Sequence, residues 1–542
     1  MMKSIIKKSL WLLVLPLCIP FSMRAQSKDF DLGKNVQMFY SVLRELDSRY
    51  VDSLDVQSLV DKSLQYMLYS LDPYSEYIPA DKTSDMELIR TGAYGGIGSI
   101  IKKIDSLGVM ITFPYANSPA VKAGLEPGDI IIEIDGVDTK PIPADKVTDR
   151  MKGIPGTSVH FKILKAGRDT MDLDIVRERV NIPDMTYSGI YRNAGYIDLN
   201  SFVEGSGSRV REAVESMKGK VEMYILDLRG NGGGLMNEAV NVVSAFMPMG
   251  TEVLTVKGRD SSDIRKYYTT IEPVDSVTPL LVLVDPNSAS SSEIVAGALQ
   301  DYDRALVGGE KSYGKGLIQT ISTLDFDSEI KYTIAKYYIP SGRCIQKVNY
   351  KHDAVQGSSA EEIPDSLRTA FQTRNGRTVY DGGGIEPDIE YESPYFSRVA
   401  VSMFYKDIFG EYAVEYYKKH DSIAVPSEFA LTDEEYEDFV EFASGKDFDS
   451  RTLVAVKFDE LAEAVEKEGL QSEYQAMIDG IREQVKTDRK KTLMLKKEEI
   501  KEILESEIIG KYYYVAGQTE LSLKGDRQLN YILDHLDFDK LK

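Results

Sequence analysis

The sequence predicts a multidomain α+β chain. Three changes of pattern carry that reading. Apolar residues fall at helical spacing from 28 to about 84, short strands punctuated by glycine run from Tyr94 to about 178, and strands alternate with helices from Ile182 onward. A last stretch, 391–542, returns to helical periodicity and is acidic and rich in tyrosine and lysine. With 542 residues, 42% hydrophobic and 28% charged, the chain has the composition of a globular protein with room for several domains.

The first residues carry lysines at 3, 7 and 8, an apolar run from Leu10 to Phe21, and then Arg24-Ala25-Gln26. That is the pattern of a secretory signal peptide, too short for a comfortable membrane span, with cleavage expected after Ala25. Leu15-Pro16-Leu17 before Cys18 lacks the small residues of a lipid-attachment site. After cleavage only Cys344 remains, so no intrachain disulfide can form. The four histidines, His160, His352, His420 and His535, have none of the spacings of a zinc site, and no metal or cofactor is expected. A net charge of −21 argues against nonspecific nucleic-acid binding and against an anionic membrane surface.

In the first helical stretch, Val36, Phe39, Tyr40, Val42, Leu43 and Leu46 share one face, as do Leu59, Val60, Leu64, Met67 and Leu68. The simplest reading is an arm packing on the core or on a second subunit. Strands follow at Ser99–Lys102, Val109–Thr112, Ile130–Ile134, Val159–Leu164 and Asp172–Val176, with a helix near Ala144–Lys152. Tyr94-Gly-Gly-Ile-Gly98 precedes the first of these; its N–H groups can surround a carboxylate, and a neighbouring strand edge can pair with an extended peptide. Glycines also simply make turns.

Beyond Ile182, Gly195–Leu199 and Met223–Leu228 read as strands, and Gly207–Met217 and Leu235–Phe246 as helices. Arg229-Gly-Asn-Gly-Gly-Gly234 joins strand to helix, but without Gly-Lys-Ser/Thr or GxGxxG it does not indicate a nucleotide site. Leu281–Val284 is a buried strand, Asp285-Pro286-Asn287 a turn, and Ser288, Ser290, Ser291 and Ser292 open a helix whose apolar face is Ile294, Val295, Ala298 and Leu299. Ser290 thus lies where backbone N–H groups are unpaired and can receive an oxyanion. A serine needs a base. The local candidate is Lys315, flanked by Gly314 and Gly316, with Gln319 beyond it. On spacing alone, the simpler reading is that the serines are helix caps and Lys315 a surface lysine.

Ser288-Ala-Ser-Ser-Ser-Glu293, Ala296-Gly-Ala-Leu-Gln300, Arg304-Ala305 and Gly314-Lys-Gly-Leu-Ile-Gln319 resemble the active-site block of the C-terminal processing, or tail-specific, serine peptidases. The resemblance implies Ser290 as nucleophile, Lys315 as general base and Gln319 as the residue that orients the lysine. Asp227-Leu-Arg-Gly-Asn-Gly-Gly-Gly234 resembles the segment that gives this family one oxyanion N–H, which falls on Gly233, with the N–H of Ser291 as the second donor. Gly96-Ile97-Gly98, with Ala123-Gly-Leu-Glu-Pro-Gly-Asp-Ile-Ile131 and the Asp135-Gly136 turn, resembles a PDZ domain and places peptide C-terminus capture on Gly96, Ile97 and Gly98. Lys152 sits where relatives that gate activity through this domain often carry arginine. Ile339-Pro-Ser-Gly-Arg-Cys-Ile-Gln346 and Gly384-Ile-Glu-Pro-Asp388 resemble further landmarks, whereas 347–378 reads as a surface insertion.

The expected organisation is therefore a signal peptide (1–25), a helical N-terminal arm (28–84), a β-sandwich or barrel-like PDZ domain (86–178), an α/β, ClpP/crotonase-like peptidase core (179–390) and a helical C-terminal extension (391–542). The expected function is an exported, periplasmic serine endopeptidase, with peripheral or no membrane contact. Its partners would be protein or peptide substrates with accessible C-termini, not nucleic acid. Helices like the arm often mediate dimerisation in the family, which makes a homodimer possible. Two rivals stand beside this reading: a catalytically silent PDZ scaffold, and a Ser-His-Asp hydrolase using a distant histidine, although no Gly-x-Ser-x-Gly elbow surrounds Ser290.

Overall fold

The computed structural model describes residues 15–82, 88, 90–104, 108–165, 169–353, 357–392, 395–485 and 488–541; much of the expected signal peptide, residues 1–14, lies outside the described residues. The chain forms two compact units, one made of 1–80, 320–332 and 350–359, the other of 81–319, 333–349 and 360–542.

In the first unit, α1 (Leu15–Arg49) and α2 (Val56–Tyr69) lead to strand β1 (Glu76–Ile78). Asp55 caps α2 by accepting the Ser58 N–H at 3.1 Å. The turn after α2 closes on the Asp72 carboxylate, which takes the Tyr74 N–H at 2.9 Å and the Ser75 hydroxyl at 3.1 Å. β1 pairs antiparallel with 329–331, and Lys331 meets Glu76 at 2.7 Å. α1 is helical as its spacing predicts, yet Val36, Phe39, Tyr40 and Val42 stay exposed.

The second unit begins with β2 (Ala93–Gly96), β3 (Ser99–Ile104), β4 (Gly108–Pro114), β5 (Ile130–Ile134), α3 (Ala144–Met151), β6 (Ser158–Leu164), β7 (Thr170–Val176) and β8 (Glu178–Asn181). β3 to β7 form an antiparallel sheet in the order β3-β4-β5-β6-β7, and β2 pairs with β8. Alternate residues Val159, Phe161 and Ile163 of β6 face a core shared with Ile111, Ile131, Val147 and Met151.

The next layer holds β9 (Met185–Tyr191), β10 (Ala194–Leu199), α4 (Ser206–Met217), β11 (Met223–Asp227), α5 (Met236–Val243), a hairpin of β12 (Glu252–Gly258) and β13 (Ile264–Tyr268), then β14 (Leu280–Val284), α6 (Ser291–Asp301), β15 (Leu306–Gly309), β16 (Leu317–Thr323), β17 (Glu329–Tyr338) and β18 (Ile389–Glu390). Six of these strands form one sheet, β9-β10-β11-β14-β15-β18, parallel except for β9. All five residues of β14 are buried, as expected for a central strand covered on both faces. Tyr224, Leu226, Val282, Val284 and Val307 face α4, α5 and α6 through Val210, Val243, Ile294 and Val295. Met223, Ile225, Leu281, Leu283 and Leu306 face the other way, onto Leu523, Leu529 and Ile532 from the far end of the chain.

Those last residues belong to a helical region: α7 (Arg398–Tyr405), α8 (Ile408–Lys419), α9 (Asp433–Ser444), α10 (Leu453–Lys467), α11 (Gln471–Val485), α12 (Arg489–Leu495), α13 (Lys497–Gly525) and α14 (Arg527–Asp534). Phe409, Tyr412, Tyr436, Phe439, Leu493, Ile500 and Leu504 form its own core. Within this helical stretch α12 and α13 are separated at Lys496 (φ −104°, ψ 20°), and α13 is interrupted again at Tyr514 (φ 58°). The 347–378 segment is also more than surface. Arg377 reaches Asp303 at 2.6 Å and is bonded to Asp388, tying the hairpin of Ala370–Gln372 and Thr378–Tyr380 to the end of α6 and to β18.

Ile532 is fully buried, and a Cβ added to Gly308 on β15 would meet it at 2.9 Å. Ile532→Ala is therefore expected to destabilise the sheet itself, by about 2–4 kcal/mol. Denaturant titration followed by tyrosine fluorescence and by proteolysis of the 280–310 region should move together. A loss confined to the C-terminal helices would contradict this packing.

Candidate active site

β14 is followed by Asp285, whose Oδ1 accepts the N–H groups of Gly230 at 2.9 Å, Asn287 at 3.0 Å and Ser288 at 2.9 Å. One carboxylate thus fixes the turn that β14 makes and ties it to the turn after β11. The four serines that follow differ in what their hydroxyls do. Ser288 donates to the Leu228 carbonyl at 2.7 Å, Ser291 to Gly234 at 3.0 Å and Ser292 to Asn231 at 2.8 Å. Among the described residues, Ser290 alone of the four donates to none of these carbonyls. Its backbone is also set apart: φ 56° and ψ −110° place it in a left-handed region that costs a residue with a Cβ on the order of 1–3 kcal/mol. Such strain persists only where surrounding contacts impose it.

Those contacts come from Glu293, three residues on and fully buried. Its Oε2 accepts the N–H of Ser290 at 2.8 Å and the N–H of Lys315 at 2.9 Å; its Oε1 accepts the Ser312 hydroxyl at 2.6 Å and the Gly314 N–H at 2.7 Å. Burial raises its carboxyl above the usual carboxylate range, and the four donors oppose that shift. On the carbonyl side, the buried Tyr337 hydroxyl lies 2.9 Å from Lys315 O and 3.2 Å from Ser290 O. Burial, then the nearby Glu293, pushes its phenol well above the ordinary tyrosine value, so it stays protonated and able to donate. Ser290 and Lys315 therefore share one acceptor for their N–H groups and one donor for their carbonyls.

The glycines beside Lys315 have a visible purpose. A Cβ on Gly314 (φ 88°) would meet Lys347 Cβ at 2.5 Å, and one on Gly316 would meet the Gln346 nitrogen at 2.8 Å. Gln346 accepts the Gly316 N–H at 2.8 Å, and Lys347 donates its N–H to Gly314 O at 3.0 Å. The returning segment is held by the fully buried Arg343, which bonds Gln300 at 2.7 Å and Asp301 at 2.9 Å on α6. Gln319 lies on β16 and donates its amide to Thr333 at 3.1 Å, which leaves its carbonyl oxygen as the end suited to a lysine head group.

Gly233 (φ 101°) packs directly on the same spot. An added Cβ there would meet Ala289 O at 2.8 Å, Ser290 Cβ at 2.9 Å and Ser291 N at 3.1 Å. Gly233 and Ser291 are thus brought together beside Ser290. In this structure, however, the Gly233 N–H is donated to Asn231 Oδ1 at 2.9 Å. Asn231 is itself buried and spans to Leu199 O at 2.7 Å. Gly96 ends β2, and Ile97 and Gly98 link it to β3, in sheets apart from the one that carries Ser290. Their carbonyls are anchored, Ile97 O by Ala120 N at 2.8 Å and Gly98 O by Tyr115 N at 3.0 Å, and β3 is the edge strand of its sheet. Three histidines are engaged elsewhere: His160 with Asp174, His420 with the Tyr416 carbonyl and His535 with the Tyr531 carbonyl.

Sequence reasoning named Glu293, Asn231 and Gln346 only as parts of motifs and missed Tyr337. For Glu293 a signal exists: Ser290-x-x-Glu293 is a capping-box pattern.

Three regions of the chain match known families. Residues 193–355 match the family model for peptidase family S41, 86–164 that for the PDZ domain, and 399–534 that for the probable PDZ-protease C-terminal helical domain. The carboxy-terminal-processing protease of Bartonella bacilliformis is 34% identical over 328 residues, 59% of this chain and 75% of that protein. The carboxy-terminal processing protease CtpA of Bacillus subtilis is 31% identical over 330 residues, 60% of this chain and 69% of that protein. Among solved structures, the photosystem II D1 C-terminal processing protease is 26% identical and covers 66% of this chain and 92% of its own, with a TM-score of 0.36.

Tyr337→Phe removes the hydroxyl between the two carbonyls. The expected cost is about 1–3 kcal/mol of stability, with a fall in kcat that exceeds any rise in KM, read by denaturant titration and steady-state kinetics side by side. Glu293→Gln sets an amide NH2 among four donors and is expected to cost more than Tyr337→Phe in both measurements. Wild-type kcat in either variant would mean the shared partners do not hold the site.

Proposed function

The chain belongs to the carboxy-terminal-processing serine peptidases of family S41, and from that premise we propose that it is an endopeptidase working through a Ser290–Lys315 dyad. Lys315, as the neutral amine, takes the hydroxyl proton of Ser290 as Oγ attacks the scissile carbonyl carbon. The carbonyl π electrons move to oxygen, and the Ser291 N–H and the Gly233 N–H receive the oxyanion, the latter once it turns from Asn231 Oδ1. Each such donor is worth about 3–4 kcal/mol in comparable chemistry. The tetrahedral adduct collapses with loss of the leaving amine, which takes the proton from the Lys315 ammonium. Water then gives a proton to Lys315 and attacks the acyl ester; collapse releases the new carboxyl terminus and returns the proton to Ser290. Gln319 orients the lysine through its carbonyl oxygen.

The observation that carries this reading is the pair of shared partners, Glu293 for the two N–H groups and Tyr337 for the two carbonyls. A catalytically silent scaffold would have no use for a strained serine held beside a lysine in that way. The PDZ domain is a module for peptide C-termini. We assign capture of the substrate's tail to Gly96, Ile97 and Gly98, with the peptide pairing along the β3 edge. Export rests on the basic and apolar pattern of residues 1–25.

Ser290→Ala and Lys315→Ala are each expected to lower hydrolysis of an unfolded protein by at least about a thousandfold, with unchanged circular dichroism. Activity surviving Lys315→Ala would assign the base elsewhere. N-terminal sequencing of protein recovered outside the cytoplasm should begin at Gln26; a cell-envelope form that begins at Met1 would contradict cleavage.

A further inference from the structure

The turn that brings Gly233 against Ser290 begins at Arg229, and the far end of Arg229 is held by residues nearly three hundred positions away. Its guanidinium engages Asp227 through Nε, at 2.9 Å from both carboxylate oxygens. It also reaches Asp526 Oδ2 through Nη2 at 2.7 Å and Gln528 Oε1 through Nη1 at 3.0 Å. Both anchors are themselves fixed. Asp526 is the N-cap of α14, its Oδ1 accepting the Leu529 N–H at 2.8 Å, and Gln528 donates its amide to Tyr391 O at 3.1 Å. α14 is seated on the sheet by Leu529 and Ile532, beneath β14 and β15. From Arg229 onward the turn also meets the core: Gly230 N donates to Asp285, Asn231 O accepts from Ala289 N and the Ser292 hydroxyl, the Asn231 amide donates to Leu199 O, Gly233 O accepts from Phe202 N, and Gly233 packs against Ser290. The arginine is the side chain through which the turn reaches the start of α14.

We infer that Asp526 is a positioning residue for peptide hydrolysis: through Arg229, and seconded by Gln528, it sets the 229–234 turn that presents Gly233 to the reacting carbonyl. The last helix of the chain is then a working part of the active site as well as a cover for the sheet. The inference rests on the reading of Ser290 and Gly233 given above. It also fits the role that outer hydrogen-bond partners play elsewhere, orienting groups they do not themselves replace.

Asp526→Asn tests it, because asparagine caps a helix about as well as aspartate and keeps the side chain's shape, while the charge facing Arg229 is lost. Arg229 keeps Asp227 in that variant, so it is not left unpaired. In the full-length chain, Asp526→Asn should lower kcat about tenfold on a peptide with a free C-terminus and leave KM unchanged. Arg229→Gln should lower kcat at least as much, and the double variant should be no slower than Arg229→Gln alone, since both changes cut one connection. Amide exchange at 230–234 should quicken in Asp526→Asn while exchange in α14 stays as in the parent. Parent-like kcat and exchange, or losses that add in the double variant, would overturn the inference and leave Asp526 a helix cap. Ser290→Ala separates the two readings. It should abolish turnover without altering exchange at 230–234; turnover in Ser290→Ala would sink the dyad, and the exchange measurement would still decide the role of Asp526.

Discussion

A single buried carboxylate holds the candidate site together. Glu293 has no solvent to share its charge with, and an isolated carboxylate in that position would cost several kcal/mol in desolvation. Four donors converge on it instead, three of them main-chain N–H groups from two different turns. Charge-assisted bonds of this kind are roughly twice as strong as neutral ones. Their geometry also leaves little choice. If Ser290 and Lys315 are both to reach Oε2, the turn after β14 and the loop after β15 must approach closely, while the glycines at 314 and 316 let Gln346 and Lys347 pack against that loop. The unusual backbone of Ser290 is then the conformation that lets its N–H point at Glu293 while the chain enters α6.

The sheet supplies the frame for this. β11, β14 and β15 are neighbours and parallel, so the turns at their C-terminal ends gather at one edge, where ligands meet open α/β sheets. The turn after β11 carries Gly233, that after β14 carries Ser290, and the loop after β15 carries Lys315. Strand order alone therefore brings three distant motifs together. The second face of the sheet is closed by α14 and the end of α13, so residues beyond 520 complete the hydrophobic layer under the same strands.

Much of this was legible in the sequence because burial writes a period into the chain. The continuous apolar run Leu281–Val284 announced a covered strand, and the helices at 206–217 and 291–301 followed their 3.6-residue spacing. The hairpin at 252–268 has no such announcement: a register shift between Glu252 and Leu254 buries Val253 and Leu254 together and breaks the alternation. The break at Lys496 and the kink at Tyr514 involve neither proline nor glycine, so nothing local marks them. Of the site, Ser290, Lys315, Gln319, Gly233 and Ser291 came from motifs with a role attached, Glu293, Asn231, Arg343 and Gln346 stood in motifs without one, and Tyr337 and Asp526 came only from the fold. Tyr337, Gln346, Arg343 and Asp526 act on residues tens to hundreds of positions away, and no local pattern says which distant side chain will fill a cavity. The donation of the Gly233 N–H to Asn231 was likewise invisible, since it depends on one rotamer and one peptide orientation.

The most direct measurement is to trap the acyl-enzyme. The full-length protein is mixed with a peptide substrate, quenched in acid during turnover and digested, and the acyl group is located by fragment-ion mass spectrometry within the peptide spanning 288–293. The account predicts the acyl mass on Ser290 and none on Ser288, Ser291 or Ser292, whose hydroxyls are committed to Leu228, Gly234 and Asn231. An acyl group on one of those three serines, or outside this segment, would contradict it.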